Sequence, residues 1–212
     1  MMAIASGIVV NPPTIARANP AAFIASLVSR LEMSMPMPAP SATRVPVQRI
    51  RSGNIYAPNG NPVGSDRFAY KLAWMDRLTQ QMIRWKQDHV PTLIGGDFNV
   101  IPEDIDCHKP SSWEHDALFQ PEPRARYRAM LGIGYTDAFR SLHVGEIGHF
   151  TFWDYFRQAF QNNRGIRIDH FLLSPTLADR LESCEIDKGP RAQEKPSDHA
   201  PIIVTLSDKD AS

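Results

Sequence analysis

Residues 93–100 read Leu-Ile-Gly-Gly-Asp-Phe-Asn-Val. An apolar run stops at two glycines, and an acid and an amide follow two residues apart. Because side chains alternate along a strand, Asp97 and Asn99 project from one side and Phe98 from the other. An acid and an amide at a strand end suit a hard cation or phosphate oxygens, although the same residues also occur in ordinary turns.

The composition indicates a globular protein with one large domain or two small ones. Its 212 residues are 42% hydrophobic and 22% charged, and the formal net charge is zero. Any nucleic-acid-binding surface must therefore be a local patch. Two cysteines, Cys107 and Cys184, are too few for a disulfide scaffold or a four-thiolate zinc site and fit a reducing compartment. No stretch approaches the roughly 18 apolar residues of a membrane-spanning helix.

Residues 1–44 differ from the rest of the chain, because they are rich in methionine and proline and poor in charge. We expect a disordered or non-native leader here, and a folded domain over residues 45–212. The scattered arginines and the scarcity of acids leave an organelle transit peptide as a less favoured alternative.

The folded part begins with a pattern typical of a βαβ crossover. Residues 47–57 are predicted to contain a strand that ends at Tyr56. An amphipathic helix is predicted over residues 68–89, and a buried strand over residues 92–96 leads into the Asp-Phe-Asn motif. Beyond it, the patterns predict a helix at 124–131, strands at 149–155 and 166–174, a short helix at 175–182 and a strand at 202–206.

Three segments place an acid at a predicted strand end: Gly96-Asp97-Phe98-Asn99, Arg167-Ile168-Asp169-His170 and Ser197-Asp198-His199. Asp169 is the most informative, because a carboxylate in an apolar strand needs a partner to be buried. His199 is the candidate partner. An Asp–His pair orients the imidazole and raises its basicity, which suits general-base or phosphate-contacting work.

Several motifs, taken in chain order, resemble the exonuclease III family of abasic-site DNA endonucleases, within the endonuclease/exonuclease/phosphatase superfamily. They are Tyr-Ala-Pro-Asn-Gly at 56–60, Gly-Gly-Asp-Phe-Asn-Val at 95–100, Phe-Thr-Phe-Trp-Asp-Tyr at 150–155, Asn-Asn-Arg-Gly at 162–165, Gly-Ile-Arg-Ile-Asp-His-Phe-Leu-Leu-Ser at 165–174 and Glu-Lys-Pro-Ser-Asp-His-Ala-Pro at 194–201. The resemblance implies an α/β fold, a two-sheet β-sandwich flanked by helices, with the front of the family pattern missing and the domain therefore N-terminally truncated.

The resemblance also implies a role for each matching residue. Asp97 would activate water or protonate the leaving group, and Asn99 would hold the scissile phosphate. Tyr56 would lie beside the phosphate, and Asp169 would orient His199, which contacts the phosphate or acts as base. The implied metal is Mg²⁺ or Mn²⁺, with ligands drawn from Asp97, Asn99, Asp198 and His199.

A pocket for the base-less sugar is implied as well, with an apolar wall of Phe152, Trp153 and Ile168 and with Arg164 beside it. Such a pocket selects abasic sites because no normal base has to be unstacked. Basic residues that could contact the DNA backbone are Arg124, Arg126, Arg128, Arg157, Arg164, Arg167 and Lys195.

The sequence departs from the family pattern at the front. Family members carry an Asn-bearing strand and a Gln-Glu-x-Lys segment whose Glu is a principal metal ligand, and neither occurs here. Glu32 is the only acid before Asp66, and it lacks that context. We therefore expect weak metal binding and little nuclease activity from the polypeptide as written.

The leading hypothesis is a divalent-metal-dependent hydrolase in base-excision repair that cuts DNA 5′ to abasic sites, trims 3′ ends, or does both. Its partner would be double-stranded DNA, and the expected state is a cytoplasmic, nucleoid-associated monomer with no membrane partner. One alternative is a superfamily phosphatase acting on a small-molecule or lipid phosphoester. Another is a DNA-binding remnant without catalytic activity.

Overall fold

The computed structural model describes residues 49–208 of the chain. The leader predicted for residues 1–44 lies outside this range, so that prediction and the domain start at residue 45 stay predictions.

The first part of the fold is the predicted βαβ crossover. Strand β1 (Arg51–Tyr56) ends at the expected residue, helix α1 (Asp66–Gln87) follows, and strand β2 (Thr92–Asp97) lies parallel to β1. Helix α1 begins after Ser65, whose hydroxyl accepts a hydrogen bond from the Phe68 amide at 3.3 Å. Such a cap satisfies one of the free amides at the start of a helix. The crossover brings the C-terminal ends of two strands to one edge of the sheet.

Two more strands complete this sheet, which has the order β1-β2-β4-β3. Strand β4 (Asp169–Leu173) pairs antiparallel with β2, and the short β3 (Thr136–Asp137) pairs antiparallel with β4. In this register Asp97 faces Asp169 across one pair of strands and Tyr56 across the other. The strand pairing therefore fixes three of the predicted site residues in one row.

A second sheet packs against the first. Strands β5 (Leu181–Ile186) and β6 (Ile202–Leu206) pair antiparallel, and the short helices α3 (Ala138–Leu142) and α4 (Pro175–Ala178) lie nearby. One apolar core combines side chains of both sheets, namely Leu93, Phe171, Leu173, Cys184, Ile202 and Val204. The predicted two-sheet α/β architecture is thus observed in residues 49–208.

Helices cover the other face of the four-stranded sheet. Helix α1 packs on α2 (Pro121–Gly132), and both place apolar side chains on the strands. The resulting core contains Met75, Met82, Ile94, Met130 and Leu172. The strands β2 and β4 are therefore buried on both faces, as their nearly continuous apolar sequences indicate.

One predicted element is wrong, and two others have different bounds. The aromatic stretch 149–155 is a loop with isolated bridges at Phe152, because its alternating pattern serves core packing rather than strand pairing. The helix predicted at 175–182 ends at Ala178, and β5 begins at Leu181, where pairing with β6 overrides the local helical preference. The strand predicted at 166–174 is shorter and starts at Asp169. None of the helices within residues 49–208 is long and apolar enough to cross a membrane.

Candidate active site

The candidate site is built at the end of β2, where two glycines allow close packing. Gly96 has φ of +129°, a conformation that L side chains rarely adopt, and a Cβ there would collide with the carbonyl of Ile55. A Cβ on Gly95 would collide with the ring of Phe171. The glycines therefore let β1 and β4 close on β2 at the point where Asp97 leaves the sheet.

Asp97 and Asn99 form a hydrogen-bonded unit just beyond this strand. The Asp97 carboxylate accepts from the Asn99 backbone amide at 2.7 Å and from the Asn99 side-chain amide at 3.0 Å. Asn99 has φ of +48° and also donates to the carbonyl of Ala57 at 2.8 Å. The alternation expected from the sequence is realised, since Phe98 points into the helix-side core.

Asp169 and His199 form the predicted pair. Nδ1 of His199 lies 2.7 Å from a carboxylate oxygen of Asp169, although the two residues are 30 positions apart in the chain. The hydroxyl of Thr151 accepts from the backbone amides of Ile168 and Asp169 and so anchors the start of β4. The side chain of His199 is only 19% exposed and that of Asp169 only 10%. Water therefore screens this ion pair weakly.

Charges in the site shift the acid–base properties of both groups. Burial alone would lower the pKa of His199, but the hydrogen bond and charge of Asp169, with help from Asp97 and Asp198, raise it to about 9. Burial and the neighbouring charge of Asp169 raise the pKa of Asp97 to about 7. The site thus combines an imidazolium at neutral pH with a carboxyl group that can exchange a proton there.

Tyr56 stands at the rim of this site. It is 75% exposed, and desolvation together with the charge of Asp97 raises its pKa. The adjoining loop brings Asn59 to Asn99, and their side chains meet at 3.3 Å. All five predicted catalytic residues are therefore gathered at one end of the four-stranded sheet.

Lys71 also belongs to this region, although none of the sequence motifs includes it. It is completely buried, and its Nζ donates to the carbonyls of Asn59 at 2.9 Å and Asn99 at 2.5 Å. Burial lowers its pKa to about 8. The sequence does indicate that Lys71 is unusual. It follows Phe68 by three positions and precedes Met75 by four, which places a charged residue on the apolar face of the helix.

The predicted metal ligands do not form a ready-made site. Within residues 49–208, no group of three His, Cys, Asp or Glu side chains is placed to hold a metal ion. Nδ1 of His199 is engaged by Asp169, and the Asp97 carboxylate is engaged by Asn99. The four-ligand set therefore stays a prediction, and its two carboxylates, the buried Asp97 and the half-buried Asp198, are oxygen donors of the kind that Mg²⁺ uses.

The predicted apolar wall is also corrected. Phe152 is partly exposed, and its ring packs edge-on against His199 with 5.2 Å between the ring centroids. Trp153 is fully buried and Ile168 is 3% exposed, so neither side chain faces a space that a sugar could enter. The indole of Trp153 instead donates to Asn163 at 3.2 Å. The remaining predicted pocket residue, Arg164, is exposed.

Arg167 does not contact solvent, so its prediction as a DNA contact is wrong. Its guanidinium lies 2.8 Å from Asp106 and 2.9 Å from Asp137 and also meets the ring of His170 at 2.8 Å. Two other predicted DNA contacts are held by surface acids, Arg124 by Asp104 and Arg126 by Asp76. Exposed basic side chains in the predicted set are Arg128, Arg157, Arg164 and Lys195.

Comparison with known proteins identifies the family of the chain. Residues 8–199 match the model of the Endonuclease/Exonuclease/phosphatase family. Exodeoxyribonuclease III of Haemophilus influenzae is 36% identical over 156 residues, which are 70% of this chain and 58% of that protein. The chain thus spans less than two thirds of this relative.

Solved structures give the same result. The AP endonuclease of Archaeoglobus fulgidus aligns with a TM-score of 0.71 and 35% identity, over 74% of this chain and 61% of that one. The 3′ phosphatase NExo from Neisseria, bound to a product DNA hairpin, aligns with a TM-score of 0.69 and 34% identity, over 73% and 60% of the two chains.

Proposed function

The chain belongs to the Endonuclease/Exonuclease/phosphatase family, and from this we propose that it is a divalent-metal-dependent phosphodiesterase of DNA repair. It would cut the DNA backbone 5′ to abasic sites, trim 3′ ends, or do both. The relatives that it resembles are named exodeoxyribonuclease III, AP endonuclease and 3′ phosphatase. Double-stranded DNA carrying such lesions is the proposed partner, and a monomer in the cytoplasm, associated with the nucleoid, is the proposed state.

One observation carries the proposal. The Asp97–Asn99 unit and the Asp169–His199 pair come from different parts of the chain, yet the pairing of β2 with β4 sets Asp97 opposite Asp169. Hydrolysis of a phosphodiester is very slow without a catalyst, so a site must both stabilise negative charge and manage a proton. The paired ends of β2 and β4 therefore bring together groups that can stabilise negative charge and groups that can transfer a proton.

The two groups suit different tasks. With a pKa of about 9, His199 carries a positive charge at neutral pH and can donate from its free ring nitrogen to a phosphate oxygen. Asp97, whose pKa burial and the charge of Asp169 raise to about 7 when no cation is bound, can take a proton from water or give one to the leaving oxygen. The hydroxyl of Tyr56 adds a donor for the phosphate at the same strand ends, and the Asn99 amide would reach the phosphate only by exchanging its hydrogen bond to Asp97 or to the carbonyl of Ala57.

A divalent cation, Mg²⁺ or Mn²⁺, completes the proposal. Mg²⁺ is commonly held by one or two carboxylates plus substrate phosphates and water, so Asp97 and Asp198 fit it without a closed protein cage. When bound, such an ion would neutralise charge on the phosphate oxygens. Chelation is therefore expected to abolish cleavage, and added Mg²⁺ to restore it.

The test is incision of a duplex with one abasic site, with enzyme in excess over DNA so that slow turnover is detected. Cleavage by the wild-type chain that Asp97→Asn lowers by about 100-fold or more would support the proposal. Asp208→Asn, at an exposed residue far along the chain, is the control and should cleave like the wild type.

Other outcomes separate the alternatives. Turnover of inositol phosphates without cleavage of DNA would favour a phosphatase of the same superfamily. Salt-dependent binding to abasic duplexes, unaffected by chelator and without cleavage, would favour a DNA-binding remnant. A rate equal to that of exodeoxyribonuclease III of Haemophilus influenzae would refute the expectation of weak activity.

A further inference from the structure

Lys71 joins the two loops that carry the site, although it lies on a helix. The side chain is 0% exposed, and its Nζ donates to the backbone carbonyls of Asn59 and Asn99. Asn59 belongs to the loop after β1, and Asn99 to the loop after β2. A buried ammonium group is costly, so it persists only where its hydrogen bonds are worth more than its hydration.

The surroundings of Lys71 are shaped for it. Gly60 has φ of +89°, and a Cβ there would lie 2.6 Å from Cδ and 3.2 Å from Cβ of Lys71. Any other residue at position 60 would therefore press on the aliphatic stem of the lysine. This close approach is independent of the hydrogen bonds made by Nζ, and it indicates that the loop is folded around the lysine.

The contact reaches the reactive groups through Asn99. The backbone of Asn99 is in the left-handed region, with φ of +48°, while its carbonyl accepts from Lys71 and its amide donates to Asp97 at 2.7 Å. Asparagine tolerates this conformation better than most residues, but it is still sparsely populated. A donor that holds the carbonyl therefore helps to fix the orientation of the whole Asp97–Asn99 unit.

We propose that Lys71 is a positioning residue for the phosphodiesterase site, clamping the loops after β1 and β2 so that Asn99 and Asp97 face the substrate together. The inference rests on the proposed function, but the clamp itself is a property of the fold. It acts through two backbone carbonyls and does not require Lys71 to touch DNA. Its loss should lower kcat more than it raises KM, because misplacing the reacting groups removes more transition-state stabilisation than ground-state substrate binding.

The experiment compares Lys71→Met with Lys71→Arg and with the control Lys86→Met. Methionine keeps most of the stem and removes the charge and the donors, whereas arginine keeps both of these. Lys86 lies on the same helix and, like Lys71, uses its Nζ to bind backbone, here the one carbonyl of Ile133 at 2.6 Å. Unlike Lys71, it is exposed and remote from the site. We expect kcat for abasic-site incision to fall about 10- to 100-fold in Lys71→Met, with KM within threefold. Lys71→Arg should recover part of the rate, and Lys86→Met should stay within twofold.

A second measurement requires neither catalytic activity nor a variant that folds. In the wild-type chain, ¹⁵N NMR of the lysine ammonium groups should show one slowly exchanging Nζ signal, assigned to Lys71, with couplings to the carbonyl carbons of Asn59 and Asn99. If this signal is present but no DNA is cleaved, the clamp stands and the proposed function fails. If the signal is absent, or if Lys71→Met retains kcat within twofold, the positioning role is overturned. Equal losses of kcat in Lys71→Met and Lys86→Met would overturn it too.

Discussion

Replacing Asp169 by Asn should remove the main source of the raised pKa of His199. Nδ1 of His199 lies 2.7 Å from the Asp169 carboxylate, and this bond and its charge raise the pKa to about 9 in spite of burial. Without them, we expect the pKa to fall to or below the usual value of about 6.5. That difference corresponds to about 3 kcal/mol of interaction between the charged imidazole and its surroundings.

The same substitution changes how stability depends on pH. The folded-state pKa of His199 is raised, so its stabilising contribution is complete below the unfolded pKa of about 6.5 and is lost as pH rises through the folded pKa. We therefore expect the wild type to exceed Asp169→Asn in free energy of unfolding most clearly in mildly acidic solution. The gap should narrow on the way to the folded pKa of about 9.

The assay is an NMR titration of the imidazole nitrogens, with urea unfolding at several pH values beside it. Asp198→Asn is the matched control, because Asp198 also raises the pKa of His199 but has the smallest effect among the acids that do so. A pKa for His199 that stays near about 9 in Asp169→Asn would refute the reasoning. So would a larger shift in Asp198→Asn than in Asp169→Asn.

Two further predictions concern stability. Gly96→Ala should destabilise the fold by more than about 1 kcal/mol in urea unfolding, since its φ of +129° is strained for alanine and its Cβ would collide with the carbonyl of Ile55; unchanged stability would contradict the packing described. Arg167→Met should cost about 3–5 kcal/mol, because it leaves the buried Asp137 without its arginine and the buried Asp106 with Arg140 alone. Its control, Arg124→Met, removes an arginine whose acid partner is largely exposed and should cost about 1 kcal/mol or less; similar losses in the two variants would show that burial of the network does not matter.

Local sequence patterns predicted the part of the fold in which neighbours in sequence are neighbours in space. The end of β1 at Tyr56, the helix after it and the parallel strand before Asp97 follow from periodicity and glycine placement. The pairing of Asp169 with His199 followed from a different argument, namely that a carboxylate in an apolar strand needs a partner. That reasoning applies to residues that are far apart in the chain, because it rests on the free-energy cost of burying an unpaired carboxylate and not on local backbone geometry.

The errors arise where tertiary contacts decide. Trp153 has the appearance of a ligand-binding aromatic, but a fully buried indole with a hydrogen-bond partner is a core residue, and its local sequence cannot reveal burial. Arg167 was predicted as a DNA contact because its acid partners, Asp106 and Asp137, are distant in sequence and meet it only in the folded structure. Lys71 could have been found, because a charged residue within an apolar helical face needs an explanation.

The opposition of Asp97 and Asp169 across β2 and β4 has a cost for the protein as a whole. Two acids facing each other on paired strands repel, so the sheet is less stable with both of them charged than it would be with one neutralised. Because Asp169 is stabilised by its pairing with His199, selection for heat resistance alone would favour variants that lose the Asp97 carboxylate, along with the chemistry that needs it. A screen for more stable versions of this protein should score activity in the same round, since replacing Asp97 would raise stability and remove a reacting group together.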